Sequence, residues 1–158
     1  MSKVKAIPDG YHSVTPMLIV KGAARAIEFY KLAFGAKEER PRLAGPGGKI
    51  VHAELTIGDA VILLGDEFPE WGDCAPKSAG DVSVRIALYV EDVDDVAKRA
   101  EAAGAKILIP VADQVYGDRS CRLVDPFGHV WLVSTHKEDV SADEIQKRME
   151  ALSTKPAA

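Results

Sequence analysis

The chain repeats itself, and the repeat constrains its fold more than any other feature. Val14-Thr-Pro-Met-Leu-Ile-Val20 aligns with Val84-Arg-Ile-Ala-Leu-Tyr-Val90. Each run is followed by a helical pattern, and the two helices end alike, in Ala33-Phe-Gly-Ala-Lys37 and Ala102-Ala-Gly-Ala-Lys106. Further on, Ala60-Val-Ile-Leu-Leu64 corresponds to His129-Val-Trp-Leu-Val133. The offset is 70 residues at the first strand and 69 afterwards, so one residue is dropped inside the second helix. Three matched segments in the same order define a duplication, in which each half buries its apolar face against its neighbour. At 158 residues the chain is then one domain made of two small modules around one core.

Each half reads as strand, helix and three strands, an α+β pattern. The first helix carries Ala23, Ile27, Tyr30 and Phe34 on one stripe, and the second carries Val93, Val96, Ala97 and Ala100. Asp92 is placed to cap the second helix, and Gly35 and Gly104 sit where a left-handed C-cap is wanted. The remaining strands are expected at 37–43, 50–57 and 60–65, then at 107–114, 119–125 and 129–135. Ile57-Gly-Asp-Ala60 signals a two-residue hairpin and Asp125-Pro-Phe-Gly128 a longer turn. The modules are expected at 10–65 and 82–136, with an aperiodic linker at 66–81. Ser141-Ala-Asp-Glu144 is a capping box that opens a C-terminal helix over 141–152. Pro16 has no ladder donor, which puts the first strand at an edge or a seam.

Composition narrows the function classes. The net charge of −4 argues against nucleic acid as the main partner. No apolar run approaches the roughly 18 residues of a membrane span, and no apolar core follows the basic start as in a secretory signal. Cys74 and Cys121 are too few and too isolated for a disulfide framework or a zinc knuckle. The expectation is a cytoplasmic protein with free thiols.

The duplicated βαβββ unit resembles the vicinal oxygen chelate superfamily, which includes glyoxalase I, bleomycin-resistance proteins and extradiol dioxygenases. His52-Ala-Glu-Leu, Ile57-Gly-Asp-Ala60, Tyr116-Gly-Asp-Arg119, Asp125-Pro-Phe-Gly-His-Val-Trp131 and Thr135-His-Lys-Glu-Asp-Val140 look like its PhnB-like branch. The resemblance implies two modules curled into a half-open mixed β-barrel around a cavity, usually within a homodimer. Metal-dependent members place one ligand on the first and one on the last strand of each module. Those four places fall on Thr15, Leu63, Arg85 and Leu132. Two are aliphatic and one is a permanent cation that repels a metal, so the standard metal site is expected to be lost.

Strand alternation gives the inward face. Thr15, Met17 and Ile19 should face in from the first strand, Val61 and Leu63 from the fourth, and Arg85, Ala87 and Tyr89 from the fifth. A two-residue hairpin at Ile57–Ala60 sets Thr56 opposite Val61, Glu54 opposite Leu63 and His52 opposite Gly65, so His52 and Glu54 share that face. The same parity brings in Leu132 and Ser134, and Arg122 on the neighbouring strand. An apolar floor of Met17, Ile19, Leu63 and Leu132 with few polar groups suits a small organic ligand. Arg85 offers a fork for an anionic one, and His52 with Glu54 could move a proton.

Plainer readings stand beside these. Arg85 and Glu54 could form a structural ion pair. His12 should face away, His129 should hold its turn, and His136 should lie at the rim. Trp131 should pack under a helix, Asp118-Arg119 should be loop electrostatics, and Cys121 beside Arg122 could have a lowered pKa. Three functions therefore remain open: a metal-independent protein that binds a small ligand; a divalent-metal lyase, isomerase or dioxygenase with unorthodox ligands; and a metal-free acid–base enzyme using His52 and Glu54. The second needs a third donor beyond His52 and Glu54, from His12, His136, Glu67 or a dimer mate. No cofactor is expected on the first and third readings.

Overall fold

The computed structural model describes residues 4–78 and 81–153. Among them are nine strands and three α-helices, in the order β1 (Met17–Val20), α1 (Ala23–Phe34), β2 (Lys37–Glu38), β3 (Leu43–Ala44), β4 (Ile50–Ile57), β5 (Ala60–Asp66), β6 (Arg85–Tyr89), α2 (Val93–Ala102), β7 (Lys106–Asp113), β8 (Asp118–Val124), β9 (Val130–His136) and α3 (Ala142–Ser153). The first sheet runs β1-β5-β4-β2, with β3 also on β4, and the second runs β6-β9-β8-β7. In each, the first strand lies parallel to the last and the others are antiparallel. The duplication read from the sequence is therefore a duplication of topology.

Local chemistry accounts for the boundaries. β1 starts immediately after Pro16 and sits at its sheet's edge, as a residue without an N–H requires. Gly35 closes α1 at φ 67°, the left-handed conformation that a C-cap needs. Asp92 accepts the Asp95 amide to cap α2, and Ser141 accepts the Glu144 amide to open α3. One strand differs from expectation. The 37–43 run divides into β2 and β3, with Arg40 and Pro41 in the break. Pro41 offers no amide to β4, so the ladder stops there and resumes at Leu43.

The core lies between the sheets' helix-bearing faces and joins both modules. Ala53, Leu55, Ile57, Ile62 and Leu64 point into it from the first sheet, and Cys121, Leu123, Trp131 and Val133 from the second. Trp131 packs under α1 as expected, its ring 4.7 Å from that of Phe34 and 5.6 Å from that of Tyr30. Asp125 clasps the modules. It accepts the Tyr30 hydroxyl at 2.7 Å and the Trp131 indole N–H at 2.9 Å, together with the amides of Phe127 and His129. His129 does more than hold its turn, because its Nε2 donates to the Ile19 carbonyl of β1 at 2.9 Å. The two sheets share a core and not a ladder: among the described residues no strand of one pairs with a strand of the other, and there is no closed barrel. Their other faces are left open to solvent.

Candidate ligand-binding faces

On the first open face, register produces the row of side chains that strand parity predicts. Met17 pairs with Leu63, Leu63 with Glu54, and Val61 with Thr56. His52 lies two residues before Glu54 and so shares its face. The His52 Nε2 is 3.3 Å from Glu54 Oε1, and the Arg40 guanidinium is 3.4 Å from the other carboxylate oxygen. Arg40 also lies over the Tyr11 ring, 5.8 Å from its centroid. The Tyr11 hydroxyl foremost, then His52 and Arg40, hold the Glu54 carboxyl below the usual range, overcoming its partial burial. Glu54 is thus an ionised acceptor. With Tyr11, Arg40, Thr56 and Val61 it lines a cavity of about 190 Å³.

The anticipated pairing of Arg85 with Glu54 does not form, since the two stand on different sheets. Arg40 takes that place. Sequence reasoning missed Arg40 because it read a continuous strand where the chain leaves the β4 ladder between Glu38 and Leu43. Thr15 precedes β1 and donates to the His12 carbonyl at 3.3 Å, while Met17 is 49% exposed.

On the second open face, Arg85, Ala87 and Tyr89 pair with Val130, Leu132 and Ser134, and Arg122 lies opposite Leu132. All of the sequence-predicted residues of this module therefore stand together. Tyr89 is 64% exposed and Arg85 is exposed. Arg122 is half-buried, and its Nε is fully buried with no acceptor.

A polar cluster closes one end of this face. Asp118 is 5% exposed and is the first residue of β8, so it is no loop residue. It accepts the Tyr89 hydroxyl at 2.8 Å and His136 Nδ1 at 2.7 Å, while His136 Nε2 reaches Asp139 at 3.0 Å. Asp118 foremost, then Asp139, raise the His136 pKa, and Asp118 likewise raises that of Tyr89. Gly117 makes the approach: a Cβ there would stand 2.0 Å from the Glu138 carbonyl. Shared strand parity was the signal for this cluster, but it required knowing that β8 begins at Asp118. Arg119, of opposite parity, grips Asp94 at 2.6 and 2.8 Å. Cys121 is buried, and burial pushes its thiol pKa up, opposite to a reactive cysteine.

The four positions that the resemblance assigns to metal ligands carry side chains that do not fit a divalent ion. Leu63 and Leu132 carry no donor, Arg85 is a cation, and the Thr15 hydroxyl is turned to a backbone carbonyl. His52 and Glu54 supply two donors where a catalytic site normally takes three. Among the described residues no three His, Cys, Asp or Glu side chains gather where a metal could be held.

Two βαβββ modules whose sheets share one core define the fold class. The chain belongs to the Glyoxalase/Bleomycin resistance protein/Dioxygenase superfamily, which it matches over residues 12–133. It is 41% identical over 140 residues to an uncharacterized protein of Mycobacterium bovis, covering 87% of this chain and 91% of that one. An uncharacterized protein of Mycobacterium tuberculosis H37Rv is equally similar, with 82% of it covered. Among solved structures, TioX from Micromonospora sp. ML1 is 28% identical with a TM-score of 0.60, over 78% of this chain and 99% of that one. The fosfomycin resistance protein FosX from Listeria monocytogenes shares the fold at 20% identity, with a TM-score of 0.60 over 85% and 97%. No helix among the described residues is long and apolar enough to cross a membrane.

Proposed function

We propose that this protein is a metal-independent binder of a small organic ligand, of the PhnB-like branch, acting in the cytoplasm as a homodimer. The observation that carries the reading is that the four positions the resemblance assigns to a metal hold a hydroxyl, two aliphatic chains and a guanidinium, three of them on faces with an apolar floor. Met17, Leu63, Tyr89 and Leu132 would supply apolar contact, with Thr15, Arg85 and Arg122 at its polar edges. Each open face is only half of an enclosure. A second copy that laid its first sheet over this chain's second sheet would bury both, which is why the reading includes a dimer.

The test is metal analysis of protein purified without chelator, followed by a thermal-shift screen of small organic compounds and sedimentation analysis. The expected results are no stoichiometric metal, a stabilising ligand and a dimer. Stoichiometric nickel, zinc, iron or manganese would overturn the metal-independent reading. A second reading has one observation in its favour, the 3.3 Å approach of His52 to Glu54, which suits metal-free acid–base chemistry with Glu54 orienting the imidazole. Turnover of any compound found in the screen, abolished by His52→Ala and not by Thr56→Ala, would select it. Binding unaccompanied by turnover would remove it.

A further inference from the structure

The chain has eight arginines, and the way each is held separates them into two groups. Arg40, Arg42, Arg99, Arg119 and Arg148 are in ion pairs with carboxylates. Arg25 lies over the Phe127 ring and donates to a backbone carbonyl. Arg85 and Arg122 have no acceptor among the described residues, and both stand on the open face of the second sheet. Arg85 is on β6, opposite Val130, and Arg122 is on β8, opposite Leu132, with β9 between them. Two strand spacings across and two residues along set their Cα atoms about 12 Å apart. The surface between them is Ala87, Val130 and Leu132.

Among the described residues, the carboxylate that the strands of this sheet place on this face is Asp118, four residues from Arg122 along β8 and so roughly 13 Å away. It is already occupied by Tyr89 and His136. A half-buried guanidinium ordinarily has a carboxylate or carbonyl beside it, because an unsatisfied buried donor is costly. Arg122 keeps a fully buried Nε–H without one, so no contact of the fold explains its charge. Two like charges left unneutralised on one apolar face constitute a receptor for the opposite charge.

We propose that the second sheet binds an organic oxyanion, a carboxylate, sulfonate or phosphonate head on an apolar body. The terminal nitrogens of Arg122 take the head end-on, Arg85 approaches it from the other side, and the body lies on Leu132 and Ala87. This rests on the reading of the protein as a small-molecule binder and adds the charge and orientation of what it binds.

A matched pair of fluorescent probes tests it. 8-Anilinonaphthalene-1-sulfonate and N-phenyl-1-naphthylamine share an aromatic body and differ by one sulfonate. The native protein should bind the sulfonate about tenfold more tightly or better. Arg122→Met and Arg85→Met should each erase most of that preference and leave the uncharged probe's affinity within about twofold. Arg25→Met, on a guanidinium the fold already uses, should leave the preference intact. Far-ultraviolet circular dichroism and thermal unfolding of each variant show whether it is folded, and Arg122→Lys serves as a milder substitute if Arg122→Met is not. Equal affinity for the two probes, or a preference unmoved by both arginine variants, would overturn the oxyanion proposal and leave small-molecule binding standing. Failure of both probes to bind the native protein would overturn the binding reading itself, and this proposal with it.

Discussion

The first and second sheets repeat one topology, yet they treat charge on their open faces in opposite ways. On the first, the Glu54 carboxylate is held between His52 and Arg40, so its charge is answered within the module. On the second, Asp118 is answered by His136 and Tyr89, while Arg85 and Arg122 are answered by nothing among the described residues. The difference shows where a duplicated fold is free to diverge. Helix-bearing faces must stay apolar in both modules, because they make one core; open faces contribute little to that core and can change their chemistry. Even the buried polar anchors differ. Asp66 binds the amides of Gly22, Ala23 and Ile50 within the first module, whereas its counterpart in the repeat, Thr135, takes only the Val93 amide.

The largest effect should come from the residue that joins the modules. Asp125→Ala leaves four donors, three of them in buried hydrogen bonds, without this acceptor and should cost about 3 kcal/mol or more in denaturant unfolding. A loss below about 1 kcal/mol would remove Asp125 as the clasp. Asp66→Ala should cost about 2 kcal/mol. Its damage should stay in the first module, read as faster hydrogen exchange at the Gly22, Ala23 and Ile50 amides while second-module amides hold.

The two open faces should then respond with opposite sign. Arg122→Met removes an unsatisfied donor and should raise stability by about 1 kcal/mol. Arg40→Met removes a partner of Glu54 and should lower it by about 1 kcal/mol or less. If both variants lose stability, the contrast between the faces fails. The pH responses should be smaller and should also oppose each other. Glu54 has a lowered folded pKa, so its contribution is present above the ordinary carboxylate range and is lost as pH falls through the folded value. Stability of Glu54→Gln should therefore fall less than that of the native protein on acidification. His136 has a raised folded pKa, so its hold on Asp118 and Asp139 is fully present below about pH 6.5 and is lost as pH rises through the folded value. An NMR titration of the His136 ring with a midpoint below 6.5 would contradict this.

Much of the fold could be read directly from residue order. The offset between Val14–Val20 and Val84–Val90 became two sheets of equal topology, and the Ile57-Gly-Asp-Ala60 hairpin set Glu54 opposite Leu63 and Thr56 opposite Val61 as alternation requires. Arg122 came to lie beside Leu132 for the same reason. Less could be read of the contacts. Arg40 reaches Glu54 because Pro41 breaks the strand, and His129 crosses to Ile19 over 110 residues of sequence.

What the sequence by itself determined is the duplicated module, the apolar stripes and which side chains share a face, because these follow from short-range periodicity and covalent geometry. Tertiary structure alone decided which charges are neutralised. Ion pairing depends on which chain segments meet in space, and that depends on how two modules dock rather than on any spacing within one. It gave Glu54 the cation Arg40 in place of Arg85, engaged Asp118 with His136, and left Arg85 and Arg122 facing outward without an anion.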